Sequence, residues 1–248
     1  MQTSKAIAVR QAFFSANMFY QPGVNDHGLP YDPFKACVVP RAIGWISSVS
    51  PKGEHNLAPY SQFTNVSFDP PMVMFSANQT ISEDRKDTVN NIERTGSFCW
   101  QLATYPLRDS VNISAESVGP EEDEFERAGL EKTWSKSLKT PVPMVAQSPV
   151  RFECEYMQTV RLPGNPPMGT VDVVFGRVVG IHVDESILTD GRIDVSKTKP
   201  IARLGYFEYA VISESFEMVI PGDKRLLFGL EGDAKKNNPN LLRDSPEE

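Results

Sequence analysis

The sequence predicts a mainly β protein, an antiparallel barrel, closed or nearly closed, decorated by a few short helices. Three observations carry this. Val150, Phe152, Cys154 and Tyr156 alternate with Arg151, Glu153 and Glu155, the period-two signature of a half-buried antiparallel strand. The run VDVVFGRVVGIHVD over residues 171–184 is too apolar for an edge and predicts a central strand, with Gly176 and Gly180 marking bends or bulges. Finally, Ile43, Trp45, Ser47 and Val49 alternate with Gly44, Ile46 and Ser48, and the run ends at Pro51-Lys52-Gly53, a tripeptide suited to a tight hairpin.

Taken in order, residues 1–34 read as an N-terminal extension, with a short helix in AVRQAFFSANMFY and a loop in QPGVNDHGLPYDP. The barrel domain spans residues 35–220. Beyond the first hairpin comes a strand over residues 72–75, then a helix over residues 86–95. Val89 and Ile92 share one face of that helix, and Gly96 suits the position just past its end. Residues 97–104 form a strand. A second helix over residues 121–128 places Phe125 and Ala128 together before Gly129; its EEDEFER run reads as a solvated face whose first acidic turn suits the helix dipole. Strands over residues 150–160 and 171–184 flank a Pro/Gly-rich loop, residues 161–170, and a last strand covers residues 209–213. Residues 221–248 read as a polar tail.

Composition narrows the function classes. With 248 residues the chain has room for a substantial core, and 40% hydrophobic against 23% charged residues describe an ordinary globular protein. A net charge of −7 argues against nucleic acid or an acidic membrane as the main partner. Cys37, Cys99 and Cys154 are sparse and unpaired in sequence, which points to a reducing compartment; Cys99 and Cys154 read as small buried hydrophobes. No run approaches the roughly 20 apolar residues of a membrane span. The expected location is cytoplasmic. A mitochondrial presequence is the weaker alternative, resting on a first 25 residues that lack Asp and Glu but hold Lys5 and Arg10.

The richest chemistry lies in residues 40–88. Apolar strands there flank many short side chains with hydrogen-bonding tips (Asn56, Ser61, Thr64, Asn65, Ser67, Ser76), and Arg85, Lys86 and Thr88 open a helix. That combination describes a pocket for a flat ligand with an anionic tail, because hydroxyls, amides and a helix N-terminus all favour phosphate. Arg85 and Lys86-Asp87-Thr88 form either a phosphate site or an ordinary capped surface helix. Arg41, a charge on a mostly apolar strand, binds that phosphate or makes an ion pair. In an acidic protein such local cations carry added weight. The metalloprotease HExxH, the Gly-rich dinucleotide fingerprint, the Walker loop and the GxSxG elbow are missing, and three dispersed histidines predict no metal site.

Five segments in order resemble the flavin reductase-like family, whose domain is an FMN-binding split β-barrel: PRAIGWIS at 40–47, NLAPYS at 56–61, DPPMVMFS at 69–76 with KDT at 86–88, VFGRVVGIHVD at 174–184, and RLGYFEY at 203–209. The resemblance covers roughly residues 35–215. It implies FMN rather than FAD as cofactor, NAD(P)H as co-substrate docking without a Rossmann domain, and a homodimer with flavin near the subunit interface. By analogy, Ser47 and Ser48 set a hydroxyl and backbone N–H groups against the flavin. Asn56, Ala58, Tyr60, Ser61, Phe63, Thr64 and Asn65 form the wall for ring and ribityl chain, and Ser76 reaches the phosphate. Trp45 either stacks on the flavin or packs in the core. His182 either sits where nicotinamide stacks, as the catalytic candidate, or is a hydrogen-bonded strand histidine. One departure stands out: the family pattern has Arg-Leu-Gly-Gly where this chain has Tyr206 as the fourth residue, an aromatic that narrows the cavity over the flavin or packs at a subunit contact.

The implied activity is hydride transfer from NAD(P)H to flavin N5, with electrons passed to oxygen, free flavin or a partner monooxygenase. A flavin-binding electron carrier without nicotinamide activity and an FMN-dependent oxidoreductase for a specific small molecule are the competing expectations. A barrel that has lost its cofactor and serves as an interaction module is the weakest of them.

Overall fold

The computed structural model of the chain describes residues 18–80 and 84–218. Residues up to 213 belong to one compact unit, and residues 214–218, the described part of a separate C-terminal unit, carry neither helix nor strand. The expected tail over residues 221–248 lies outside the described residues, as does most of the helix expected over residues 8–20, of which residues 18–20 are not helical.

The described chain begins with a loop and one helical turn, α1 (Phe34–Cys37), followed by the two-residue β1 (Arg41–Ala42). The first hairpin pairs β2 (Gly44–Val49) with β3 (His55–Tyr60), Gly44 opposite Tyr60 and Val49 opposite His55, around a turn closed by Gly53 N–H on Ser50 O. A second hairpin, β4 (Phe63–Phe68) and β5 (Pro71–Asn78), precedes α2 (Asp87–Thr95) and β6 (Ser97–Gln101). Helices α3 (Arg108–Ile113) and α4 (Glu124–Arg127) lead to the small hairpin β7 (Lys132–Trp134) and β8 (Pro143–Val145). The long strands β9 (Val150–Leu162) and β10 (Val171–Val183) follow. The unit finishes with β11 (Leu188–Thr189), β12 (Arg192–Ile193), α5 (Val195–Thr198), β13 (Ile201–Arg203) and β14 (Tyr209–Val211).

Seven strands form one antiparallel sheet in the order β3-β2-β6-β9-β10-β5-β4. Its two edges, β3 and β4, are consecutive in the chain and separated only by residues 61 and 62, so the sheet must curl to bring them together. No ladder joins them among the described residues, which leaves a slit in the barrel wall. Gly44 permits the approach across it: a Cβ there would lie 2.9 Å from the Phe63 side chain. Strand β10 is interior, as expected, and its register shifts fall at Phe175/Gly176 and Val178/Gly180, where the glycines predict irregularity.

Two large cores and a smaller cluster of Val49, Cys99, Leu138, Val142 and Met144 account for the packing. Ile46, Phe75, Phe98 and Val174 fill the barrel, and Val89 and Ile92 of α2 join them, as their shared face predicts. Trp45, Leu57, Phe125, Val145 and Ile201 form a second cluster outside β2. Alternation along β2 therefore separates two buried faces, and all six of its residues are buried. Each fully buried aromatic contributes on the order of 1.5–3 kcal/mol over leaving it exposed. Two sequence expectations need correction. Helix α4 starts at Glu124 rather than residue 121, because the Asp123 carboxylate caps it by accepting from Phe125 N. Its acidic run is only partly a solvated face, since Glu124 is buried and accepts from Leu57 N at 3.0 Å.

Candidate functional site

Helix α2 opens into a polar cleft of about 150 Å³. One wall is β3, through Asn56, Ala58, Pro59 and Tyr60; the floor is Arg85, Lys86, Asp87 and Thr88; the opposite wall is residues 114–118 with Glu124. The start of α2 is held open for an acceptor. Val89 and Asn90 N–H both return to Lys86 O, so the N–H groups of Asp87 and Thr88 have no intrahelical acceptor, and no side chain caps the turn. Thr88 Oγ1 accepts from Asn56 Nδ2 at 2.8 Å and from Tyr60 Oη at 2.8 Å. With both lone pairs engaged, its own O–H remains as a donor. Lys86 supplies a cation, and the helix dipole adds to it.

Arg85 does a job beyond the one its sequence position predicts. Three of its five N–H donors are engaged: one on each terminal nitrogen reaches the Glu93 carboxylate, at 2.6 and 2.7 Å, and Nε reaches Asp172 at 2.9 Å. Asp172, almost wholly buried, also receives Arg161 Nε at 2.9 Å. Burial opposes the charge of Asp172, but the hydrogen bonds from the two arginines outweigh it and hold its pKa below the usual carboxylate range. Arg85 thus ties the loop before α2 to β10 and positions the cleft floor, which it also lines.

The acids of the cleft sit in opposition to that cation. Burial raises the Asp87 carboxyl above its ordinary value, with Lys86 pulling the other way. Burial likewise raises Glu124 against the pull of Leu57 N–H, and pushes the Tyr60 phenol up. What fits a phosphate ester is the donor set, a cation, a hydroxyl and two helix N–H groups; the acids Asp87, Glu116 and Glu124 on the same lining work against it.

The structure separates the remaining candidates. Ala58, Tyr60, Lys86, Asp87 and Thr88 come together in the cleft, with Asn56. Ser61 lies on a larger neighbouring cavity together with Arg41. Phe63 stacks on Trp100 at 5.3 Å and packs against the barrel core. Thr64 and Asn65 are exposed on β4 and Ser76 is half-buried on β5, all three away from the cleft lining. Trp45, Ser47 and Ser48 have no exposed surface: Trp45 Nε1 donates to Ser114 Oγ at 2.9 Å, Ser47 Oγ to Pro143 O at 2.6 Å, and Ser48 Oγ accepts from Asn91 Nδ2 at 3.4 Å. They are core residues: α3, α4 and β8 cover the face of β2 that carries Trp45 and Ser47, and α2 covers the opposite face, which carries Ser48. Arg41 makes neither a carboxylate pair nor a direct cleft contact; it donates to the carbonyls of Lys35, Val38 and Leu204.

His182 is also displaced from its expected role. Its Nε2 lies 2.7 Å from Glu153 Oε1, and Glu153 is anchored by the N–H groups of Lys136 and Ser137. Ten residues of β10 separate His182 from Asp172, which marks the cleft end, or roughly 30 Å at the rise of a strand. It is a hydrogen-bonded strand histidine.

Sequence reasoning missed the second wall. Residues 114–118 (SAESV) are as rich in small polar groups as β3, but nothing in their spacing connects them to Lys86. Among the described residues no cluster of His, Cys, Asp and Glu could hold a metal ion, and no helix is long and apolar enough to cross a membrane.

A slit seven-stranded antiparallel barrel with a polar cleft at a helix start defines the class: a split β-barrel protein. The comparisons specify it further. Residues 36–207 match the model of the flavin reductase like domain, and the chain belongs to that family. It is 31% identical to the crystal structure of nitrilotriacetate monooxygenase component B from Bacillus cereus, with TM-score 0.74 over 82% of this chain and 100% of that one. It is 32% identical over 193 residues to the uncharacterized protein YwrF of Bacillus subtilis, covering 77% of this chain and 93% of that protein. Flavoredoxin of Desulfovibrio vulgaris, 18% identical with TM-score 0.63 over 73% of this chain and 91% of that one, shares the fold.

Proposed function

We propose that this protein is an FMN-binding flavin oxidoreductase, with NAD(P)H as its electron donor. The observation that carries the reading is the Thr88 hydroxyl, whose oxygen accepts from Asn56 and Tyr60 and whose O–H is thereby left as a donor on the cleft lining beside Lys86. When bound, FMN supplies the two-electron chemistry, taking hydride from NAD(P)H at N5 and passing electrons to oxygen, free flavin or a partner oxygenase.

The chain's own residues bind and orient. Lys86, Thr88 and the first turn of α2 hold the phosphate; Asn56 and Tyr60 fix the Thr88 rotamer; Arg85 fixes the loop through Glu93 and Asp172. The cleft has room for a phosphate and the start of the ribityl chain but not for three fused rings, so the ring system lies beyond it. No general acid or base is needed for hydride transfer, and none is assigned.

A homodimer fits the apolar side chains left exposed on the sheet, Met157, Val160 and Leu162 of β9 among them. The name of the Bacillus cereus relative, a monooxygenase component, supports a partner oxygenase as the electron acceptor. Cytoplasmic location fits the unpaired cysteines.

The test is a visible spectrum of the purified protein, then anaerobic addition of NADH and of NADPH. Flavin absorbance that bleaches rapidly is expected and names the nucleotide. Flavin that stays oxidised favours the electron-carrier reading. A colourless protein that also fails to bind added FMN or FAD overturns the cofactor assignment.

A further inference from the structure

Beside the cleft lies a larger cavity, about 930 Å³, that the flavin phosphate site does not use. It is built between the N-terminal arm and the turn that joins β13 to β14. Tyr31 of the arm faces Tyr206 of the turn, ring centroids 5.5 Å apart and tilted by 60°. Tyr206 stands at φ +56, a left-handed conformation that bulky side chains rarely adopt. The family pattern has glycine there, which takes that conformation freely; this chain accepts local strain to hold an aromatic ring at the cavity wall.

The cavity is also electrostatically unusual for an acidic protein. Lys35, Arg41 and Arg203 line it against Asp32 and Glu208, three cations to two carboxylates. Among the described residues none of the three cations is in a salt bridge. Arg41 donates only to carbonyls, those of Lys35, Val38 and Leu204, and so rivets the arm to the turn. Arg203 donates to Tyr206 O and to Tyr209 Oη, and stacks on the Tyr209 ring at 4.6 Å. Neutral acceptors orient these guanidiniums without cancelling their charge. Asp32 is partly spent as well, since its Oδ1 accepts from Phe34 N at 2.8 Å.

Aromatic side chains beside an excess of one cation over the lining carboxylates select a flat ring bearing a negative charge. We propose that this cavity is a second ligand site, distinct from the flavin phosphate cleft, that takes a small planar aromatic anion of the benzoate class. Tyr31 and Tyr206 supply the ring contacts, and Lys35 with the two arginines supplies the field.

The experiment uses 2-aminobenzoate as a fluorescent probe, titrated against the full chain by anisotropy, with and without saturating FMN. Saturable binding that benzoate displaces and benzyl alcohol does not is expected, about equal in the two flavin states. Tyr206→Gly is expected to weaken it about tenfold and Tyr31→Ala similarly, with FMN affinity unchanged in both. Tyr206→Gly relieves the strained backbone, so a matched or higher melting temperature separates lost binding from lost folding. Lack of saturation at millimolar probe overturns the proposal. Competition by FMN also overturns it, because the cavity is then the flavin's own. A chain that binds the probe but no FMN leaves this site standing and removes the flavin reading instead.

Discussion

Replacing Thr88 by valine tests the cleft at its most connected atom. The two side chains are nearly isosteric and Thr88 is 1% exposed, so no cavity forms and the hydroxyl alone is removed. Two donors lose their acceptor, Asn56 Nδ2 and Tyr60 Oη, each 2.8 Å from Thr88 Oγ1. Asn56 faces the cleft and can turn to water. Tyr60, half-buried on the cleft wall, is held more tightly: its ring is packed 4.8 Å from that of Phe75, and its desolvated phenol has a raised pKa. The cost is one desolvated unpaired donor, about 1–3 kcal/mol. For a domain of this size that lowers Tm by roughly 3–10 °C. A bound phosphate loses one charge-assisted hydrogen bond, about 1.5–3 kcal/mol, so FMN affinity falls roughly 10- to 150-fold. The assay is a thermal melt of the apo protein paired with an FMN titration by flavin fluorescence. Thr88→Ser, which keeps the hydroxyl, is expected to stay within threefold of the parent. A Thr88→Val protein that melts and binds FMN like the parent refutes both the network and the phosphate assignment.

Asp172→Asn removes the charge shared by Arg85 and Arg161. Because Arg85 keeps Glu93 and both arginines are partly open to solvent, the expected loss is about 1–3 kcal/mol rather than the full cost of breaking a buried pair. FMN affinity should fall several-fold as the loop before α2 loosens, whereas unchanged affinity in a destabilised protein would show that Arg85 does not position the cleft. Acid titration probes the other end of β10. Burial works against the Glu153 charge, yet Lys136 N–H, His182 and Ser137 N–H together lower its pKa. A depressed carboxylate stabilises fully above its unfolded value, near pH 4, and the benefit disappears as pH falls through the folded value. The melting temperature should therefore drop steeply below about pH 4. Glu153→Gln should melt lower at neutral pH and show a shallower acid limb; parallel limbs would refute the assignment.

Much of this protein is legible in its sequence because strand periodicity and turn chemistry are local. Alternation in residues 150–156, the apolar run of β10 with its two glycines, the hairpin at Gly53 and the stop at Gly96 each depend on a few neighbouring residues, and each falls where the sequence predicts. The order of the family segments, and with it the barrel and the cationic helix start at Lys86, is equally a property of the linear chain. The tertiary structure decided what those faces meet. Trp45, Ser47 and Ser48 look like pocket residues on a half-buried strand until helices from later in the chain cover both of its faces. Nothing local to Arg85 shows that Glu93 and Asp172 engage three of its donors, or local to His182 that Glu153 holds it at the far end of β10. The second wall of the cleft and the pairing of Tyr31 with Tyr206 join segments remote in sequence. Periodicity records which way a side chain points; which distant segment meets it is set by how the sheet curls and what packs against it.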